Sequence, residues 1–201
     1  MKKILRKVFN KLGYDIIKIN VHSADKINKV SKVKVGNYEI LMPGNNPQIS
    51  LYKYIPDSNE QLARLAKLII AKYKDASMVD IGANVGDTIA VVRSQTDIPI
   101  IAVEGDDFSF SFLQKNAVQF QDLHLLKQYL GEEKKELSVT LDKAGWNNTI
   151  IPDEKSTSKI SVKTLDETLN DQNLQDKSIK LLKIDTEGFN TIILRDRKSV
   201  V

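Results

Sequence analysis

From residue 77 onward, short apolar runs alternate with stretches whose apolar residues recur every three or four positions. Ser77–Ile81 predicts a first buried strand and Thr88–Ser94 the helix after it. Pro99–Glu104 reads as a second strand, apolar until it ends in an acid. Phe108–Phe120 predicts a helix with Phe112, Leu113 and Val118 among its apolar positions. Leu123–Gln128 is a third strand and Lys180–Asp185 a fourth. Apolar strands spaced by helices predict an α/β fold, with a parallel sheet covered on both faces. Between the third and fourth strands, Glu136–Leu141 and Lys159–Thr164 alternate apolar and polar residues, as half-buried antiparallel strands do. The polar stretch Gly145–Ser158 joins them, and Leu165–Leu169 reads as a short helix.

The first third of the chain has a different texture. Ile4, Leu5, Val8, Phe9 and Leu12 form an amphipathic stripe over residues 2–12, which Gly13 ends. Tyr14–Ile19 reads as extended, and residues 20–37 as a loop or irregular hairpin. Tyr38–Met42 predicts a strand, and Pro43–Pro47 a turn cluster. Ser58 or Asn59 can cap a helix that presents Leu62, Leu65, Ala66, Ile69 and Ile70 on one face. The expected organisation is a basic extension over 1–49 and a strand–helix domain over 50–201.

Charge sharpens that division. Residues 1–34 hold ten Lys/Arg against two Asp, a net +8, and the remainder holds 20 basic and 24 acidic residues, a net −4. Basic residues are not spread over the domain as in nucleic-acid-binding proteins, so no nucleic-acid partner is expected. The basic stripe suits docking on the core, or peripheral contact with an anionic membrane surface. No apolar run approaches the roughly 20 residues of a membrane span, and the expected location is cytoplasmic, with contact at the inner face of the membrane as its variant. The chain has no cysteine, which removes disulfides, thiolate zinc sites and cysteine nucleophiles. With only His22 and His124, no metal is assigned. His124, inside an apolar strand, reads as a core or edge residue.

Candidate chemistry concentrates at Asp80-Ile81-Gly82-Ala83-Asn84-Val85-Gly86-Asp87-Thr88, where the first strand breaks into a turn and starts a helix. Gly82 and Gly86 can adopt backbone angles closed to other residues, and Asn84 tolerates left-handed geometry. Glu104 follows Asp80 by 24 residues, a spacing that suits an acid accepting hydrogen bonds from both hydroxyls of a ribose. A dinucleotide site would carry G-x-G-x-x-G for a pyrophosphate. This loop is G-x-N-x-G with an acid before it, which disfavours phosphate and suits a cationic cofactor without one, S-adenosylmethionine. The expected cofactor-binding residues are Asp80, Gly82, Asn84, Gly86, Asp87, Thr88 and Glu104. Asp185 and Glu187, at the end of the fourth strand, are the expected catalytic pair. Asp185 is favoured as general base because it directly ends the strand. Trp146, Asn147 and Asn148 are candidates for contact with a sugar, or for pinning a loop on the core.

These motifs resemble the FkbM-type methyltransferases, a branch of the class I S-adenosylmethionine-dependent enzymes. The resemblance rests on Val79–Thr88, Val103-Glu104-Gly105-Asp106, Thr164-Leu165-Asp166 and Leu182–Gly188, in family order, and covers roughly residues 50 to 194. It implies a Rossmann-like class I methyltransferase sheet and methyl transfer, usually to a hydroxyl oxygen on a sugar, glycan or secondary metabolite. The partner it implies is a small-molecule or glycan acceptor. Gly105 departs from the pattern, because relatives more often carry proline there; glycine is expected to loosen the loop.

A class I sheet has seven strands, and the fourth ends near Asp185. The last three strands are therefore expected to be missing, with Leu181, Leu182 and Ile184 on an apolar edge. The final hexapeptide, Asp196–Val201, matches one reading frame of a common sequencing adapter, so Val201 is expected not to be a natural terminus. Such a truncated chain is expected to bind cofactor weakly. The alternative to an enzyme is a non-catalytic binding or assembly module that keeps the fold. A nicotinamide-dependent dehydrogenase is disfavoured by Gly82–Gly86.

Overall fold

The computed structural model describes residues 29–143 and 148–186. The stripe over 2–12, the segment Tyr14–Ile19, Trp146, Asn147 and Glu187 lie outside those residues. Within them stand ten strands and five helices. They are β1 (Val30–Val35), β2 (Tyr38–Pro43), α1 (Gln48–Tyr54), α2 (Glu60–Lys72), β3 (Ala76–Ile81), α3 (Asp87–Arg93), β4 (Ile100–Val103), α4 (Asp107–Ala117), β5 (Leu123–Leu126), β6 (Tyr129–Leu130), β7 (Lys135–Lys143), β8 (Asn148–Pro152), β9 (Lys159–Lys163), α5 (Leu165–Asp171) and β10 (Ser178–Ile184).

The central layer is a four-stranded sheet in the order β10-β3-β4-β5, parallel throughout. Its middle strands, β3 and β4, are buried at every position, which is why they read as mainly apolar runs, broken in β3 by Ser77 and Asp80. Alternate residues face opposite layers. Met78, Ile100, Ala102 and Leu181 pack against Ala66, Ile89, Val92 and Leu113 of α2, α3 and α4. Val79, Ile81, Ile101 and Val103 pack on the other face against Leu126, Leu130, Leu165, Leu169 and Leu174. The α/β expectation, a parallel sheet covered by helices on both faces, is what the chain adopts. On β10, Leu181 is buried, while Leu182 and Ile184 are half-buried against the second face.

The two alternating segments pair antiparallel, β7 with β9, as expected. They belong to a second sheet, β6-β9-β7-β8. The stretch read as a polar connection contains β8, which pairs antiparallel with β7. Its sequence hides a strand because it lies at the edge of that sheet, where Ile151 is half exposed. Within residues 20–37, the hairpin option holds for the described part, since Val30–Val35 pairs with β2. That hairpin packs Val33, Val35, Ile40 and Met42 against Tyr52, Ala90, Val91 and Phe112. Asn116 of α4 ties it down: its Nδ2 donates to the Leu41 and Val85 carbonyls at 2.9 and 2.8 Å, and its Oδ1 accepts from Leu41 N.

Two expectations about α2 need correction. Asn59 occupies its N-cap position but makes no side-chain cap bond, and its φ is +66°. Leu65 is 45% exposed, whereas Ala63 and Ala66 are fully buried. The buried face runs through the small residues because α2 lies close on α3 and β3, and the bulkier Leu65 is turned outward. His124 lies exposed on β5, the edge strand opposite β10.

Candidate active site

The chain lays β3, β4 and β5 in succession to one side, then returns to place β10 on the other side of β3. Strand order therefore reverses between β3 and β10. In open parallel sheets, the crevice beyond the carboxyl ends of the strands at such a reversal is where ligands sit. A cleft of about 250 Å³ opens there. Its floor is the turn after β3 and the ends of β4 and β10. Gln48, Asn59 and Leu62 form one wall, and Leu130, Ile150, Ile160 and Val162 of the second sheet form another. Of the sequence candidates, Gly82, Asn84, Asp87, Thr88, Glu104 and Asp185 line it. Asp80 and Gly86 do not line it.

The turn has the backbone its residues suggested. Gly82, Asn84 and Gly86 all have positive φ, at +76°, +49° and +86°. At Gly82 the reason is spatial as well: a Cβ there would collide with the Asp185 carbonyl oxygen, where β10 runs past the loop. Gly82 N and Ala83 N both donate to Val103 O, at 2.9 and 3.1 Å, which fastens the turn to the end of β4. Glu104 follows directly. Its Oε2 accepts from Asn84 N at 2.9 Å, and its Oε1 accepts from Asp106 N at 2.8 Å. A carboxylate offers about four lone-pair sites, so Glu104 keeps acceptor capacity on both oxygens. Burial pushes its pKa up, and the backbone donors Asp106 and Asn84 oppose that shift. The Asn84 side-chain Oδ1 is buried without a hydrogen-bond partner.

Sequence reasoning missed Lys183. It sits opposite Asp80 in the β3–β10 register. Its ammonium lies 2.8 Å from Asp80 Oδ1, donates to Gly82 O at 3.3 Å, and stands 3.9 Å from Asp185 Oδ2. Asp80 is fully buried. The cation expected beside Asp80 is thus one the protein itself supplies. Burial alone would lower the Lys183 pKa, but the carboxylates of Asp80, Asp185 and Asp87 outweigh it and hold the pKa above the ordinary lysine value. Lys183 therefore stays charged and is no general base. It is the one cation among the described residues that line the cleft, against Asp87, Glu104, Asp106 and Asp185. Asp185 itself has a side chain 78% exposed.

Two further contacts were invisible in the sequence. Tyr52 Oη donates to Asp87 Oδ2 at 2.7 Å across two elements. The ring of Tyr129 lies against Gly105, where a Cβ would overlap it. Glycine at 105 makes room for an aromatic wall beside Glu104. Gly105→Ala is expected to destabilise the chain by about 1–3 kcal/mol through overpacking. Adding Tyr129→Ala should recover part of that loss in urea denaturation.

The sequence model of the Methyltransferase FkbM domain matches residues 9–200. The chain belongs to the FkbM methyltransferase family. The match runs through every strand of the parallel sheet and both sides of the cleft. The FkbM membership makes this a methyltransferase-family protein and implies a methyl donor. No curated protein matched the chain. No helix among the described residues is long and apolar enough to cross a membrane.

Proposed function

We propose that the chain is a Rossmann-like class I methyltransferase that uses S-adenosylmethionine to methylate a hydroxyl oxygen on a sugar, glycan or secondary-metabolite acceptor. The observation that carries the reading is Glu104. It is held by two backbone N–H groups at the lip of the cleft, with lone pairs left on both oxygens for the vicinal hydroxyls of a ribose. The residues present fit such a donor. The Gly82–Gly86 turn admits a ligand against the backbone, and the orphaned Asn84 Oδ1 offers an acceptor. The acidic lining suits a ligand whose non-nucleoside half is cationic. The sparse cation count and the absence of a G-x-G-x-x-G turn disfavour a pyrophosphate.

The donor supplies an activated methyl group, so the protein has to align the acceptor, exclude water and take a proton. Asp185 is the proposed base, favoured over Glu187. Asp185 directly follows β10 at the open side of the cleft, where an acceptor enters, and its Oδ2 stands 3.9 Å from the Lys183 ammonium. Thr88, buried in the first turn of α3, and the apolar wall of β8 and β9 exclude water from the floor.

Glu104→Gln tests the reading. Charge-assisted hydrogen bonds are worth about 1.5–3 kcal/mol, so affinity for S-adenosylhomocysteine is expected to fall about tenfold to a hundredfold in calorimetry. Circular dichroism should show an intact fold. Unchanged affinity in a folded variant would remove Glu104 from the ribose site.

A further inference from the structure

We propose that Asp87, clasped by Tyr52 and Asn59, reads the charge of the methyl donor: binding of the sulfonium-bearing donor expels a proton from this cluster, and binding of the neutral spent form expels less. The inference rests on the donor reading above and concerns a residue that reading uses only as part of the turn.

The geometry isolates Asp87 from water but not from the cleft. It is 7% exposed, and it lines the cleft as the first residue after the Gly82–Gly86 turn. Tyr52 Oη donates to its Oδ2 at 2.7 Å, and Asn59 Nδ2 donates to Tyr52 Oη at 3.3 Å. Asn59 makes that contact from the N-cap position of α2, where it forms no side-chain cap bond, and it holds a left-handed backbone angle that side-chain-bearing residues rarely adopt. Local rules broken in this way concentrate at functional sites. Glu104 holds the middle of the Gly82–Gly86 turn through Asn84 N, and Asp87 follows the end of that turn. In a donor whose ribose is on Glu104, the sulfur is attached to that ribose through a single carbon. Its cationic half therefore extends over the turn toward Asp87.

The charged and titratable groups facing Asp87 come from three directions: Tyr52 on α1, Asp80 on β3 and Lys183 on β10. Burial raises the Asp87 pKa most strongly. The Tyr52 hydrogen bond and Lys183 oppose this, Asp80 adds to it, and the net shift is upward. In the free protein, the carboxyl therefore holds a proton above the ordinary carboxyl range. A sulfonium placed beside it in a low-dielectric cleft favours the ionised form. The sign follows from linkage. Donor affinity rises with pH through this window and levels off once Asp87 is already ionised in the free protein. The spent form keeps its ammonium but has no sulfonium, so its affinity rises less steeply. Once the methyl group has left, the charge that kept Asp87 ionised is gone, and the carboxyl takes a proton from solvent. The cleft thereby holds the reactive donor more tightly than the product as pH rises.

The test is calorimetric titration of the full chain with S-adenosylmethionine and with S-adenosylhomocysteine. It is run in pairs of buffers that differ in ionisation enthalpy and hold the pH at each point, at several pH values between the ordinary carboxyl range and neutrality. The difference in heat between buffers gives the protons released. The expected result is greater release with S-adenosylmethionine. Asp87→Asn should weaken S-adenosylmethionine more than S-adenosylhomocysteine and abolish the difference in release. Tyr52→Phe, which removes a hydrogen bond to the charged form, should move the release to higher pH. Equal release for the two ligands, or a difference that survives Asp87→Asn, would overturn the inference and leave the donor reading standing. Absence of binding by both ligands would overturn the two together.

Discussion

Replacing Lys183 by methionine is expected to cost about 3–5 kcal/mol of stability, the range for removing one partner of a buried ion pair. Asp80 has no exposed surface, and its Oδ2 has no hydrogen-bond partner, so the ammonium 2.8 Å from Oδ1 is what makes its charge tolerable there. The loss should be larger than that of a surface pair, because solvent cannot screen the remaining carboxylate. The double variant Lys183→Met with Asp80→Asn should recover most of it, since neutralising both partners removes the uncompensated charge. Urea denaturation of the two variants and the parent makes the comparison. A single variant as stable as the parent would mean that Asp80 is solvated and that the β3–β10 junction is not held by this pair. The pH dependence has a definite sign. The Lys183 pKa is raised, so the pair's contribution is complete below the ordinary lysine range. It is lost only as pH rises through the raised value.

Gly82→Ala should be nearly as damaging, at about 2–5 kcal/mol. A left-handed backbone costs a side-chain-bearing residue roughly 1–2 kcal/mol, and forcing atoms into a packed region costs about 1–3 kcal/mol more. The added Cβ meets the Asp185 carbonyl, a backbone atom that cannot rotate away. Relief requires β10 and the turn to separate, which would also pull Lys183 from Asp80 and Asp185 from the cleft. Stability and ligand affinity should therefore fall together. Gly86→Ala shares the backbone penalty, but its Cβ would meet a side-chain methyl, Leu113 Cδ1 at 2.9 Å, rather than a backbone atom. It should cost less in the same denaturation series. Equal losses at the two glycines would show that backbone angle alone sets the cost.

The chain announces its parallel sheet because strands covered on both faces leave apolar runs that interrupt the polar sequence. The Gly82–Gly86 turn and Glu104 are legible for a similar reason: their signals are local, glycines at positive φ and an acid ending an apolar strand. The elements that were not legible are short, marginal or long-range. α1 spans only Gln48–Tyr54, two turns without a polar N-cap side chain, too short for a helical period to emerge. β8 is an edge strand inside a polar stretch. Lys183 looks like punctuation in Lys-Leu-Leu-Lys-Ile-Asp, and only the parallel pairing of β10 with β3 brings it to Asp80. The Tyr52–Asp87 bond joins residues with no pattern between them. Asn59 was legible as a cap, but its backbone is left-handed, it makes no cap bond, and its amide donates to Tyr52.

The central claim is that the cleft between β3 and β10 binds a methyl donor through its ribose. Calorimetric titration with S-adenosylhomocysteine, set beside a nicotinamide dinucleotide, tests it most directly. Saturable binding of S-adenosylhomocysteine, weakened at least about tenfold by Glu104→Gln, with no heat from the dinucleotide, is the result the structure predicts. Binding of the dinucleotide in place of S-adenosylhomocysteine would contradict it.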